Sequence, residues 1–179
     1  MRIIGKRHFN KIITRLNSMT ENEYNSSVNL YADNVYRFII KNLRHAEDAK
    51  DVVQSVFEKL WIHRLQVEMA TCKSYLFTIA YNQMIDHIRK NRRTMLTAGF
   101  DEESRGADRQ ANNTKRILEE ALCKLSETQR SLVMLKDYEG YTYEEIGEIT
   151  GLTQSQVKVY LHRARLQLRA YLVKAENII

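Results

Sequence analysis

Apolar residues recur at steps of three and four from Val28 to Leu43, through Tyr31, Val35, Phe38 and Ile39. That period belongs to a helix with one face on a core. A second stripe follows almost at once, formed by Ala49, Val52, Val53, Val56, Phe57 and Leu60, while Asp48, Asp51, Ser55 and Glu58 form a polar stripe on another side. The period breaks after Arg64. A short polar loop to about Thr71 leads into a long helix over Lys73 to Arg93, with Leu76, Ile79, Ala80, Met84 and Ile88 facing inward. Between Thr94 and Thr114 two glycines and clustered polar residues interrupt the pattern, which marks a flexible linker and divides the chain. The stripe resumes at Ile117, Ala121, Leu122 and Leu125. Three capping boxes follow, Ser126 with Gln129, Thr142 with Glu145 and Thr153 with Gln156, each announcing a helix start. Gly140 and Gly151 stand where helices should end.

Composition supports an all-α reading, since proline is absent and there are only six glycines in 179 residues. A net charge of +6 favours a polyanionic partner without naming it. Cys72 and Cys123 are far apart and outside any CxxC spacing, which argues against a disulfide framework or zinc site and fits a reducing cytoplasm. His8, His45, His63, His87 and His162 show no mutual metal-ligand spacing, so neither metal nor cofactor is expected. At the N-terminus, Ile3, Ile4, Phe9, Ile12, Ile13 and Leu16 alternate with basic residues, and an amphipathic extension is expected rather than a signal peptide. No apolar run reaches the roughly 20 residues of a membrane helix, so membrane insertion is not expected.

Two segments could carry binding chemistry. TYEEIGEITGLTQSQVKVYLHRARLQL reads as a short helix, a tight turn at Gly151 and Leu152, and a long helix capped by Thr153, which is helix-turn-helix geometry. Val157, Leu161, Ala164, Leu168 and Leu172 face inward on the long helix. Ser155, Lys158, Val159, His162, Arg163 and Arg165 are left outward or flanking, on a face that can enter a major groove, and Gly147 lets the two helices approach closely. Elsewhere, Lys73, Arg89, Lys90, Arg92 and Arg93 oppose a single acid, Asp86, with Tyr75, Phe77 and Tyr81 interleaved. Rings stack on unpaired bases while cations hold phosphates. The alternative is that these rings are core and the cations are merely solvated.

These residues resemble the extracytoplasmic function group of sigma-70 factors. DVVQSVFEKLW is similar to the region 2.2 motif, YLFTIAYNQMIDHIRKNRR to regions 2.3 and 2.4, and EGYTYEEIGEITGLTQSQVKVYLHRARLQL to region 4.2. The resemblance implies two small helical domains, a region 2 bundle over 25–93 and a region 4 helix-turn-helix over 115–179, flanking a 94–114 linker and following a 1–24 extension. It also implies a subunit that binds core RNA polymerase and directs promoter-specific initiation, with no catalysis of its own. By the same resemblance, Asp48, Asp51, Gln54, Phe57, Glu58 and Trp61 would contact core polymerase. The loop Glu68, Met69, Ala70, Thr71 and Cys72, with Lys73, Tyr75, Tyr81, Asn82, Asp86, Arg89 and Lys90, would capture the single-stranded minus-10 element. Thr153, Gln154, Ser155, Gln156, Lys158, Val159, His162, Arg163 and Arg165 would read the duplex minus-35 element. An anti-sigma protein is a further expected partner.

Departures from the family pattern are few. Ser126 stands where proline is frequent, Ser55 where an acid is usual, and Ser155 and Gln156 replace glycine and threonine. The last two bear on promoter sequence rather than fold. Two alternatives remain open at this point. One is an autonomous helix-turn-helix regulator whose N-terminal half dimerises or binds a ligand. The other is a helical enzyme using Asp48, Asp51 and Glu58, which share one helix face with no histidine in motif spacing.

Overall fold

The computed structural model describes residues 18–98 and 113–176, and among them every regular element is helical. Residues 1–17 of the expected 1–24 extension and 99–112 of the expected linker lie outside the described residues, and the rest of the extension already belongs to the first helix and its cap. Helix α1 spans Glu21–Leu43 and starts well before Val28 because Thr20 and Glu23 form a capping box. The Glu23 N–H donates to Thr20 Oγ1 at 3.2 Å and the Thr20 N–H to Glu23 Oε2 at 2.7 Å. Arg44 ends α1 in the left-handed region at φ 58°. Helix α2 spans Ala46–His63, and its cap is His45, whose Nδ1 accepts from the Asp48 N–H at 3.2 Å. Two short 3₁₀ turns, Arg64–Gln66 and Met69–Thr71, lead into α3, Cys72–Ala98. The first residues of the expected linker therefore continue a helix.

The second half comprises α4 (Asn113–Cys123), α5 (Glu127–Val133), α6 (Tyr143–Thr150) and α7 (Gln154–Glu176). All three expected capping boxes form, at Ser126, Thr142 and Thr153. Helix α5 runs on into a π-helical turn, Met134–Tyr138, closed by the Glu139 N–H on the Met134 carbonyl at 3.1 Å. Gly140 and Gly151 take positive φ, 80° and 73°, as helix stops require.

Helices α1, α2 and α3 enclose a first core of Val35, Phe38, Ile39, Val52, Val56, Leu60, Leu76, Ala80 and Met84, all buried. Helices α4 to α7 enclose a second, of Leu122, Leu125, Leu132, Leu135, Ile146, Ile149, Val157, Leu161 and Ala164. Burial of this kind supplies most of the stability of helices too short to stand alone. The two units also pack on each other, α6 against α3 and α5 against α1. At the centre of that interface Arg130 is buried and donates to three carbonyls: Leu122 at 2.9 Å, Leu125 at 2.9 Å and, across the boundary, Asn42 at 3.1 Å. Ser131 donates to Asn42 Oδ1 at 3.1 Å beside it.

Gly147 is where α6 meets the turn that follows it. A Cβ there would lie 2.7 Å from the Leu152 carbonyl oxygen, a contact with backbone that cannot swing away. Gly147→Ala is expected to destabilise the helix-turn-helix by about 1–3 kcal/mol, the usual range for forced overpacking. Urea denaturation followed by circular dichroism measures it, and an unchanged midpoint would show that the turn relaxes freely.

Candidate nucleic-acid interface

The first face is built on α7. Val157, Leu161 and Ala164 are buried on the side of α7 that packs against α5, α6 and α4, and they fix the rotation of the helix about its axis. That rotation leaves Gln154, Ser155, Gln156, Lys158, Val159, His162, Arg163 and Arg165 exposed, the side expected from the sequence. Thr153 and Gln156 close the cap, with the Gln156 N–H donating to Thr153 Oγ1 at 3.2 Å. In α6, Thr142 groups bonded to the Glu145 carboxylate hold its pKa below the ordinary 4.5, keeping the supporting helix capped at neutral pH. Arg165 is committed to an ion pair with Asp137 at 2.6 Å, whereas His162 is exposed and Lys158 is exposed with its Nζ 5.8 Å from the centre of the Tyr143 ring.

The second face is α3 with the turn before it. Glu68, Ala70 and Thr71 are exposed and Met69 half-buried, but Cys72 is fully buried, and burial pushes its thiol pKa up. Lys73 sits 3.0 Å from Glu139 of the second unit. Phe77 is 0% exposed, edge-on to Phe38 at 5.4 Å and to Tyr141 at 5.5 Å between centroids. Tyr81 is 8% exposed and Tyr75 half-buried. In this arrangement Phe77 is core, as the plainer reading of the rings allowed. Tyr81, Asn82, Asp86 and Arg89 line a cleft of about 580 Å³, facing Thr128, Gln129, Tyr160 and Arg163. The two expected DNA faces thus meet across one polar cleft.

The third cluster lies along α2. Asp51, Gln54 and Glu58 are exposed, while Phe57 is buried in the core. Asp48 lies between two imidazoles, with His45 Nδ1 and His87 Nε2 each 3.1 Å from one of its carboxylate oxygens. Trp61 both packs and stays at the surface. Its ring meets Tyr24 edge-on at 4.9 Å with the Arg64 guanidinium 3.9 Å above it, yet it remains 36% exposed beside exposed Ile62 and Leu65. Neither the His45–Asp48–His87 clasp nor the buried Arg130 had a signal in the sequence spacing. Among the described residues no group of three or more His, Cys, Asp or Glu side chains is placed to hold a metal ion. No described helix is long and apolar enough to cross a membrane.

With this geometry in place, comparison with known proteins is informative. Residues 28–94 match the family Sigma-70 region 2, and residues 115–168 match Sigma-70, region 4. RNA polymerase sigma factor SigV of Bacillus subtilis is 31% identical over 79% of this chain and 86% of its own length. ECF RNA polymerase sigma factor RpoE of Cereibacter sphaeroides is 30% identical over 79% of this chain and 82% of its own. Among solved structures, the sigma factor RpoE in complex with the anti-sigma factor NepR, from Bartonella quintana, superposes with a TM-score of 0.73. It is 27% identical, and the match covers 83% of this chain and 96% of that one.

Proposed function

Because the chain belongs to the extracytoplasmic function group of sigma-70 factors, subunits that direct RNA polymerase to promoters, we propose that its exposed α7 face reads the minus-35 element. The observation that carries this is the capped start of α7, which projects Ser155, Lys158, Val159 and His162 away from a buried Val157, Leu161 and Ala164 anchor. A helix of that diameter enters the major groove, where every base pair presents a distinct pattern. The α3 face and the loop from Glu68 would capture the unpaired minus-10 strand, and Asp51, Gln54, Glu58 and Trp61 would dock on core polymerase. RNA synthesis itself stays with the polymerase. The solved relative bound to NepR supports an anti-sigma protein as a further partner.

The test is run-off transcription with purified core polymerase over a promoter library, using alanine at Lys158, His162 and Arg163 in turn. A base-reading position should lose about 1–3 kcal/mol and relax specificity at one base, whereas a phosphate contact weakens all promoters alike. No effect from any of the three would sink the α7 assignment. For the other face, Tyr75→Ala with Asn82→Ala should lower permanganate reactivity of thymines near the start site more than it lowers closed-complex formation. Unchanged reactivity removes both residues from strand capture.

A further inference from the structure

We propose that residues 1–17 fold back as a cover on an apolar patch at the end of α2, formed by Trp61, Ile62 and Leu65. Among the described residues eight large apolar side chains are exposed, and these three fall within five consecutive positions. Steps of three and four set Leu65 beside both Ile62 and Trp61, so they make one surface rather than scattered exposures. The first core does not need them, because the last turns of α2 already supply it with Phe57 and Leu60.

Two observations name the occupant. The first is where the preceding segment joins the fold. Met19 is buried, and its N–H is shared between the Arg64 carbonyl at 3.0 Å and the Val67 carbonyl at 3.2 Å, either side of Leu65 in sequence. Leu16 is three residues earlier, at most about 11 Å of extended chain, so the segment begins beside the patch. The second is its residue pattern. Phe9, Ile12, Ile13 and Leu16 follow the spacing of one helical face, and Arg7, Lys11 and Arg15 fall at steps of four on the opposite one. A helix over residues 6–16 would be about 16 Å long, enough to lay the apolar face over the patch with the cations outward. Charge agrees: residues 1–17 hold five Lys or Arg and no acid, while exposed Glu58 lies one turn before Trp61 and exposed Glu68 three residues after Leu65. A short tether holds such a segment at an effective concentration of about 1 mM, so an intrinsic Kd of about 0.1 mM covers the patch in about nine chains of ten. Trp61 is also assigned above to the polymerase surface, and on that reading the cover competes with core enzyme.

Trp61 is the single tryptophan of the chain, so its fluorescence reports the cover directly. Phe9→Gln with Ile13→Gln, made in the full chain, removes two apolar contacts without changing charge and leaves both cores untouched. Acrylamide quenching of Trp61 should rise about twofold as the ring passes from mostly covered to mostly uncovered, and its emission should move to longer wavelength. Arg7→Gln with Lys11→Gln alters the outward face and should leave quenching near wild type. Equal quenching in wild type and the Phe9 and Ile13 variant would overturn the cover. So would a difference that vanishes on dilution, which assigns the segment to a second copy, or one seen only with phosphatidylglycerol vesicles, which assigns it to a membrane surface. Affinity of the Phe9 and Ile13 variant for core polymerase should rise by up to about tenfold, the inverse of the uncovered fraction. An uncovered Trp61 with unchanged polymerase affinity would support the cover and remove Trp61 from the polymerase surface.

Discussion

Asp51→Arg combined with Gln54→Ala is expected to leave the chain folded and to abolish stable association with core polymerase. Both side chains are exposed on α2, and the helix is anchored from its other side by Val52, Val56 and Leu60. Exposed charge changes usually shift stability by no more than about 0.5 kcal/mol, so circular dichroism and melting temperature should stay near wild type. Reversing a charge inside a complementary interface can cost several kcal/mol, or a hundredfold and more in affinity. A pull-down with core enzyme beside a run-off assay reads both quantities. Full-strength binding by the folded variant would remove this face from the interface.

The second large effect is expected at Arg130. Burial pushes its pKa down to about 10, so at neutral pH it remains charged, and its three carbonyl partners make up for the lost water. Arg130→Met keeps the methylene packing but leaves the Leu125 and Asn42 carbonyls without their guanidinium donor. The Leu122 carbonyl still accepts from the Leu125 N–H at 3.2 Å. Hydrogen bonds from charged groups contribute about 1.5–3 kcal/mol each, so a loss of about 3 kcal/mol is expected in chemical denaturation. Lysine should rescue little, because one ammonium cannot span three separated acceptors. A loss under about 0.5 kcal/mol for Arg130→Met would mean that water takes over both carbonyls.

Local chemistry was the most legible part of this chain. Ser126, Thr142 and Thr153 each announce a helix through a partner only three residues away, and Gly151 ends one through its own backbone freedom. The start of α1 was missed because residues 21–27 are polar except for Tyr24, so no apolar period covers the turn that Thr20 caps. Phe77 and Tyr81 carried more information than the expected inner face of α3 used. With Met84 they form a second apolar line beside Leu76, Ala80 and Ile88, and a helix apolar on two sides has two partners. The second partner is the α6 unit. Its contacts with α1 and α3 join residues far apart in sequence, and spacing arguments do not reach that far. Arg130 is illegible for another reason: its residue type belongs on a surface, and only the assembled fold surrounds it with acceptors. The autonomous-regulator alternative falls because both halves match sigma-70 families, in order, and the enzyme alternative draws no support from that family.

The distance along the chain between Asn34 and Glu139, whose side chains are hydrogen-bonded at 3.1 Å, has a consequence for synthesis. These residues are 105 positions apart, so at ~5–20 residues per second Glu139 is added roughly 5–20 s after Asn34. Helices α1 to α3 are therefore synthesised before the segment that packs on them, and the first core is built only from residues that precede the linker.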